Sequence, residues 1–264
     1  MEIATEESTG GEVEQATGAT NIQPNPWRAT GWLVVFALLH MLGVFFYIAG
    51  YGGYLGAQLG AQGEVVDPAA VQMQIAEHVT QPGAMAGMYL AQFVLILPVL
   101  LLVSRFKGQT AAQTLGIQSF SMKQVMPWLG VLAIFLAVQT AAARLFNIEQ
   151  GEFMEMLAGS KHLLLALVLV FAAPLLEELV FRGYLFRAWR HTRLGFSGTL
   201  LLTSVLFTLL HWGQYSLVQL SFVFTLALIL GFAREKSGSV LLPMLLHLGN
   251  NLAAAVLVLY LGIL

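Results

Sequence analysis

Two adjacent carboxylates, Glu177 and Glu178, follow an apolar run (162–173) that we expect to lie in a lipid bilayer. An ionised carboxylate that is buried there without a partner costs several kcal/mol. Arg182 follows Glu178 by four residues, so on a helix the two share a face and can form an ion pair. Glu177 is rotated by about 100° and has no such local partner, so it remains available for another role.

Two further polar sites interrupt apolar segments later in the chain. His211 ends one segment, four residues after Phe207, and His247 lies within another, four residues before Asn251. Unpaired polar groups in membrane helices normally face a bundle interior or a water-filled cavity. Three such sites in three separate helices therefore predict one shared cavity.

The three patterns, E-E-x-x-x-R (177–182), F-x-x-x-H (207–211) and H-x-x-x-N (247–251), resemble those of a known protease family. It is the CAAX protease and bacteriocin-processing (CPBP) family of intramembrane endopeptidases, which includes the Ras-converting CAAX endoprotease. The resemblance extends from Lys161 to the end of the sequence, with a looser match in the preceding helices.

The resemblance implies a catalytic site and a substrate class. In such a site Glu177 and His211 would activate a water molecule, while His247 and Asn251 would donate hydrogen bonds to the tetrahedral oxyanion. The substrates would be membrane proteins or peptides that are cut near or within the bilayer. No prenylated substrate is implied, because that belongs to one branch of the family, and no cofactor is expected.

Three other residues are expected to support this site. By the same resemblance, Glu178 and Arg182 would be structural, since their ion pair would hold the helix and orient Glu177. Phe207 is expected to pack against the site. Asn250, beside Asn251, is an alternative to it, although the spacing from His247 favours Asn251.

The composition indicates a membrane protein. Of 264 residues, 58% are hydrophobic and 10% are charged, whereas soluble domains carry about 25% charged residues. The net charge of −2 gives no reason to expect a nucleic-acid partner. The sequence has no Cys, which excludes disulfides and a cysteine nucleophile, and Asp67 is its one Asp, which excludes a paired-aspartate protease.

The hydropathy pattern predicts an all-α polytopic membrane bundle of about seven transmembrane helices. The predicted spans are 32–51, 85–103, 125–146, 162–187, 197–212, 217–233 and 239–263. Residues 1–29 are predicted to be a disordered acidic tail, 52–84 a loop, and 109–124 a connection that could hold an interfacial helix. Residues 30–160 supply the N-terminal membrane helices, and 161–264 form the catalytic core of the same membrane domain.

The distribution of basic residues predicts a cytoplasmic N-terminus. With that orientation nine Arg and Lys residues lie on the cytoplasmic side and two, Arg144 and Lys161, on the other. The nine are Arg28, Arg105, Lys107, Lys123, Arg187, Arg190, Arg193, Arg234 and Lys236. The resemblance implies a bacterial-type plasma (inner) membrane as the location, with an organelle membrane as the alternative.

The three polar sites are predicted to lie at similar depth. At about 1.5 Å per residue, Glu177, His211 and His247 lie roughly 15, 21 and 16 Å from the cytoplasmic boundary. The hydrocarbon core is about 30 Å thick. All three residues are therefore expected in its middle layer.

Other functions are also compatible with parts of the sequence. Glu177, His211 and His247 form a known type of zinc ligand set, but no H-E-x-x-H motif occurs and no carboxylate would then be free to act as the base. Ser197 lies in a G-x-S-G pattern like that of rhomboid proteases. Its position at the start of a helix, however, favours a role as an N-cap at the cytoplasmic edge, which would place it far from His247. A non-catalytic immunity or scaffold protein is a further alternative. A transporter is disfavoured, since paired broken helices are not evident.

Overall fold

Apolar segments that cross a bilayer fold into helices, because the lipid interior offers no hydrogen-bond partner to backbone N–H and C=O groups. The computed structural model of the protein describes residues 24–63, 67–105, 107–149 and 151–263. No strand occurs in these residues. Their helices are α1 (Pro26–Ala61), α2 (Pro68–Val79), α3 (Pro82–Val103), α4 (Ala111–Leu115), α5 (Met122–Phe146), α6 (Glu152–Leu157), α7 (Leu163–Arg190), α8 (Gly195–Leu210), α9 (Leu217–Ser237) and α10 (Leu241–Tyr260).

The predicted all-α membrane bundle is confirmed. Six helices, α1, α3, α5, α7, α9 and α10, are long and apolar enough to cross a membrane, and α8 is a shorter apolar helix of 16 residues. Together they account for the seven predicted spans. The protein is an integral membrane protein.

The predicted loop at 52–84 is wrong. α1 continues through its glycines to Ala61, because a glycine in a helix costs only about 1 kcal/mol and no proline interrupts this stretch. α2 then begins at Pro68, where the Asp67 carboxylate accepts a hydrogen bond from the Ala69 amide. Proline suits the first turn of a helix, since its missing N–H would have no partner there.

Most of the predicted N-terminal tail, residues 1–23, lies outside the described residues. The last four residues of the predicted tail, 26–29, are helical, since α1 begins at Pro26. The Asn25 side chain caps it by accepting hydrogen bonds from the amides of Trp27 and Arg28.

Helix α7 forms the centre of the bundle. In the most apolar stretches of α7 and of its neighbour α9, 44% of residues are buried, against 11% in α1 and in α5, so α7 and α9 are enclosed by protein while α1 and α5 face lipid. Two π-helical turns, Val168–Ala172 and Leu179–Leu185, flank the short α-helical stretch that carries Glu177 and Glu178. Such turns release backbone carbonyls from the regular helix ladder, so the surrounding helices must supply donors.

The polar connection after α3 is fixed to one end of the core. The side chain of Arg187 on α7 donates to the Gln113 carbonyl, and the Val240 amide donates to the Gly116 carbonyl at 2.9 Å. Only Ala111–Leu115 is helical here, because Gly116 adopts a left-handed φ of 71° that ends the helix. The connection therefore closes one end of the bundle around α7.

A close approach of α1 and α3 gives a first testable prediction. A Cβ on Gly43 would lie 2.8 Å from the backbone Cα of Gln92, so Gly43→Ala must push the two helices apart. We expect a loss of about 1–3 kcal/mol in stability, measured as a lower thermal unfolding midpoint in detergent. Gly50→Ala on the same helix is the matched control, because nothing lies within 4 Å of its Cβ. Equal midpoints for the two variants would contradict the prediction.

Candidate active site

The Glu178–Arg182 ion pair forms at the centre of the bundle, and both side chains are fully buried. Arg182 Nη1 lies 3.1 Å from Glu178 Oε1, and Arg182 Nη2 donates to the Ala227 carbonyl of α9 at 3.0 Å. The guanidinium also lies over the ring of Phe207, 4.5 Å from its centroid. A buried charge of this kind is tolerated only when it is paired and hydrogen-bonded.

A second arginine, on the neighbouring helix α9, makes a hydrogen bond to the backbone of α7. Arg234 Nε on α9 donates at 2.8 Å to the carbonyl of Arg182, which lies in the second π-helical turn of α7. Arg234 is itself buried. This contact could not be predicted from sequence patterns, because the acceptor is a backbone atom 52 residues away.

His247 connects the two carboxylates of α7. Its Nδ1 lies 2.9 Å from Glu178 Oε1, and its Nε2 lies 3.8 Å from Glu177 Oε2. Because the carboxylate of Glu178 is paired with Arg182 and accepts only, the proton of the short contact belongs to His247 Nδ1. The second ring nitrogen then faces Glu177 across a gap that is too long for a direct hydrogen bond.

His211 follows the last residue of α8. Its Nδ1 lies 2.9 Å from the Phe207 carbonyl and, as the donor in that contact, leaves Nε2 with a lone pair. Phe207 separates the two histidines, with its ring 4.9 Å from His211 and 5.6 Å from His247 between centroids. Phe207 therefore packs against both imidazoles and against Arg182.

Asn251 donates a hydrogen bond to a backbone carbonyl of α7 that has no donor within its own helix. Its Nδ2 donates at 2.8 Å to the carbonyl of Leu169, in the first π-helical turn. That carbonyl lacks a local partner, because the Ala173 amide donates to Val168 and the next residue, Pro174, has no N–H. The neighbouring Asn250 donates to Asn251 Oδ1 at 3.2 Å, so both amides belong to one network.

One cavity of about 260 Å³ brings the predicted catalytic residues together. Glu177, His211, His247 and Asn251 all line it, whereas Ser197 does not. Among the described residues Glu177 makes no direct hydrogen bond, and its side chain is 24% exposed. The carboxylate without a local partner is therefore the one that opens into the cavity.

The opposite wall of the cavity was missed by the sequence analysis. It contains apolar residues of α5 and α9 together with a few polar side chains: Tyr89, Gln139, Thr140, Arg144, Gln214, Tyr215 and Gln219. Gln139 and Gln219 lie 3.5 Å apart across the two helices. An amide within an apolar span was a signal for this wall, since such groups usually face protein or water and not lipid.

Tyr215 lies in the turn between α8 and α9, beside His211. Its ring centroid is 5.9 Å from that of His211. Burial, together with the nearby Glu177 carboxylate, raises the pKa of Tyr215 to about 12. Its phenol therefore stays protonated at neutral pH and can donate a hydrogen bond.

The zinc alternative requires three ligands around one point. Within the described ranges, no three His, Cys, Asp or Glu side chains are grouped closely enough to hold a metal ion. The Nδ1 contacts of His211 and His247 would leave both Nε2 atoms facing the cavity, as in many metal sites, but the Glu177 carboxylate does not complete such a set.

Comparisons with known proteins agree with the motif resemblance. Residues 159–253 match the family described as type II CAAX prenyl endopeptidase Rce1-like. An uncharacterized 24.3 kDa protein of Escherichia coli is 34% identical over 130 residues, which are 47% of this chain and 59% of that relative. The chain thus spans a little over half the length of this relative. No solved structure matches the chain. The matched segment, residues 159–253, contains all the predicted site residues, so the similarity to the Rce1-like family covers the whole candidate site.

Proposed function

We propose that the protein is an intramembrane endopeptidase that hydrolyses membrane-associated proteins or peptides with a Glu/His-activated water and no metal. The observation that carries this proposal is the gap of 3.8 Å between Glu177 Oε2 and His247 Nε2 within the cavity. Both residues line the cavity, so one water beside this gap can contact both groups. A water held there would lie within reach of the Glu177 carboxylate, which can act as its general base.

The proposed reaction assigns one role to each side chain. Glu177 removes a proton from the water, assisted by the free Nε2 of His211, and the water oxygen attacks the scissile carbonyl carbon. The resulting oxyanion accepts hydrogen bonds from Asn251 and His247. The proton held by Glu177 then passes to the leaving nitrogen as the C–N bond breaks, which gives a carboxylic acid and an amine.

His247 must carry two protons to act in the oxyanion hole. Its Nδ1 proton is engaged by Glu178, so donation to the substrate requires a second proton on Nε2. Glu177 and Glu178 flank the ring, while Arg182 pairs with the second carboxylate. With a second proton on His247, the two carboxylates are matched by two positive groups, so the net charge of the cluster is close to zero.

Asn251 keeps one donor for the same purpose. One amide hydrogen bonds to the Leu169 carbonyl, and the other is free to meet the oxyanion. The bond to Leu169 also fixes the amide against α7, so the donor is oriented before substrate arrives. Preorganised donors of this kind make large contributions to catalysis.

A comparison of protein termini in cells tests this proposal. Host membranes are compared after matched expression of wild type, Glu177→Gln and Ser197→Ala. New termini should appear with wild type and Ser197→Ala but not with Glu177→Gln, and they identify the substrates. Loss with Ser197→Ala alone would favour the serine mechanism. If no termini depend on Glu177, the immunity or scaffold function takes precedence.

Metal independence is a second prediction. We expect the purified protein to cleave its substrate without bound zinc, and strong chelators to leave the rate unchanged, because the water is activated by side chains alone. Metal content is measured by mass spectrometry and activity by peptide cleavage. Stoichiometric zinc that is lost together with activity would instead support the Glu177, His211 and His247 ligand set.

We also propose a cytoplasmic N-terminus in the plasma membrane. The natural absence of Cys allows single-cysteine labelling without background. A membrane-impermeant maleimide should label Glu149→Cys in intact cells and Lys236→Cys only after permeabilisation, since both side chains are exposed on opposite predicted sides. The reversed labelling pattern would invert the topology.

A further inference from the structure

A second cleft lies at the edge of the bundle, away from the catalytic cavity. It has a volume of about 130 Å³ and is formed where α1 begins, where α3 ends, and beside the second π-helical turn of α7. Its lining is Pro24, Asn25, Arg28, Trp32, Val103, Arg105 and Tyr184. No residue is shared with the catalytic cavity.

The cleft is positively charged. Arg28 and Arg105 both line it, and neither forms an ion pair with a residue in the described part of the chain. No acidic side chain is among its lining residues. Two guanidinium groups that face one cleft repel each other, and an anion between them would relieve that repulsion.

Tyr184 supplies an unused polar group to the same cleft. The residue is only 3% exposed, and its ring packs edge-on against Phe36 at 6.2 Å. Among the described residues its hydroxyl has no hydrogen-bond partner, although buried tyrosine hydroxyls usually find one. The cleft is the space into which this hydroxyl can donate.

The location of the cleft is that of a membrane interface. One spanning helix begins here and another ends here, and Trp27 beside it is 83% exposed, as in the aromatic belts of membrane proteins. Apolar side chains on the same two helices face outward, with Val34 57% and Leu102 68% exposed. A polar group in the cleft would thus lie directly above a surface suited to acyl chains.

We infer that this cleft binds the phosphate group of an anionic membrane lipid. Arginine matches phosphate oxygens with paired, charge-assisted hydrogen bonds, and the Tyr184 hydroxyl offers a third donor. The volume is sufficient, since one water occupies about 30 Å³. The bound lipid would connect the start of α1, the end of α3 and the second π-helical turn of α7 at the predicted cytoplasmic surface.

Native mass spectrometry of the full-length protein tests the inference. Delipidated protein in detergent is titrated with phosphatidylglycerol, with phosphatidylcholine and with inorganic phosphate. We expect one phosphatidylglycerol to be retained with at least about tenfold preference over phosphatidylcholine. In Arg28→Gln/Arg105→Gln that preference should be lost, because each charge-assisted contact is worth about a factor of ten.

Two further variants make the result specific. Arg193→Gln removes an equally exposed arginine on the same predicted side and should leave lipid retention unchanged. Tyr184→Phe should lower retention about threefold or more, because it removes only the hydroxyl donor. The unfolding midpoint of every variant is measured in parallel, so that loss of fold is recognised.

Three outcomes would overturn the inference. Equal lipid retention by wild type and the double arginine variant would show that the cleft does not bind the lipid. An equal loss of lipid retention in Arg193→Gln would show that general surface charge, and not this cleft, holds the lipid. Displacement of the lipid by millimolar inorganic phosphate would assign the cleft to a soluble anion in place of a lipid. None of these results depends on whether the protein cleaves peptides.

Discussion

Glu177→Gln is expected to abolish peptide cleavage while the fold is retained. The substitution removes the base but keeps the size and shape of the side chain, and general base catalysis is typically worth about 10²–10⁴ in rate. Stability should change little, because Glu177 opens into the cavity and makes no direct hydrogen bond to a described residue. Initial rates on a quenched fluorescent peptide and thermal unfolding midpoints provide the two readouts.

Two other carboxylates serve as controls for this experiment. Glu77 lies exposed on α2, so Glu77→Gln should alter neither rate nor midpoint. Glu178→Gln should lower the midpoint, since it removes the buried partner of Arg182. A Glu177→Gln protein that keeps more than about a tenth of the wild-type rate would exclude Glu177 as the base.

Arg182→Leu is expected to cause the largest loss of stability in the chain. The guanidinium contacts Glu178, the Ala227 carbonyl and the Phe207 ring from a fully buried position. Its removal leaves an uncompensated buried carboxylate, which typically costs about 3–5 kcal/mol. We expect a lower unfolding midpoint in detergent and a smaller monodisperse fraction in size-exclusion chromatography.

The double variant separates lost charge compensation from lost packing. In Glu178→Gln/Arg182→Leu neither charge of the buried ion pair remains, while the Gln oxygen can still accept the His247 Nδ1 proton. At least about half of the lost stability should therefore return. Arg190→Leu is the matched control, because its ion pair with Glu235 is 26–31% exposed and should contribute only about 0–1 kcal/mol. If Arg182→Leu were no worse than this control, the buried pair would not be the structural centre of α7.

These two experiments probe different halves of one cluster. Glu177 is expected to govern rate, whereas Glu178 and Arg182 govern stability, although the two carboxylates are adjacent in sequence. The difference arises because neighbouring side chains on a helix point about 100° apart. One then faces the cavity, and the other faces the packed interior between α7, α9 and α10.

The sequence by itself determined the features that depend on neighbours along one helix. The membrane helices follow from apolar length, and the Glu178–Arg182 pair follows from a spacing of four residues. The family resemblance also lies in such short patterns, and the matched segment contains all of them. A polar, glycine-rich composition was a poorer predictor of loops, since residues 52–61 belong to α1 and not to a loop.

Only the tertiary structure decided which groups meet across helices. His247 and Glu178 are 69 residues apart, and Asn251 and Leu169 are 82 apart, so no local periodicity relates them. The same holds for Arg234 and the Arg182 carbonyl, and for the cleft of Arg28, Arg105 and Tyr184. A side-chain hydrogen bond requires its atoms to lie within about 3 Å, a distance that depends on how the helices pack.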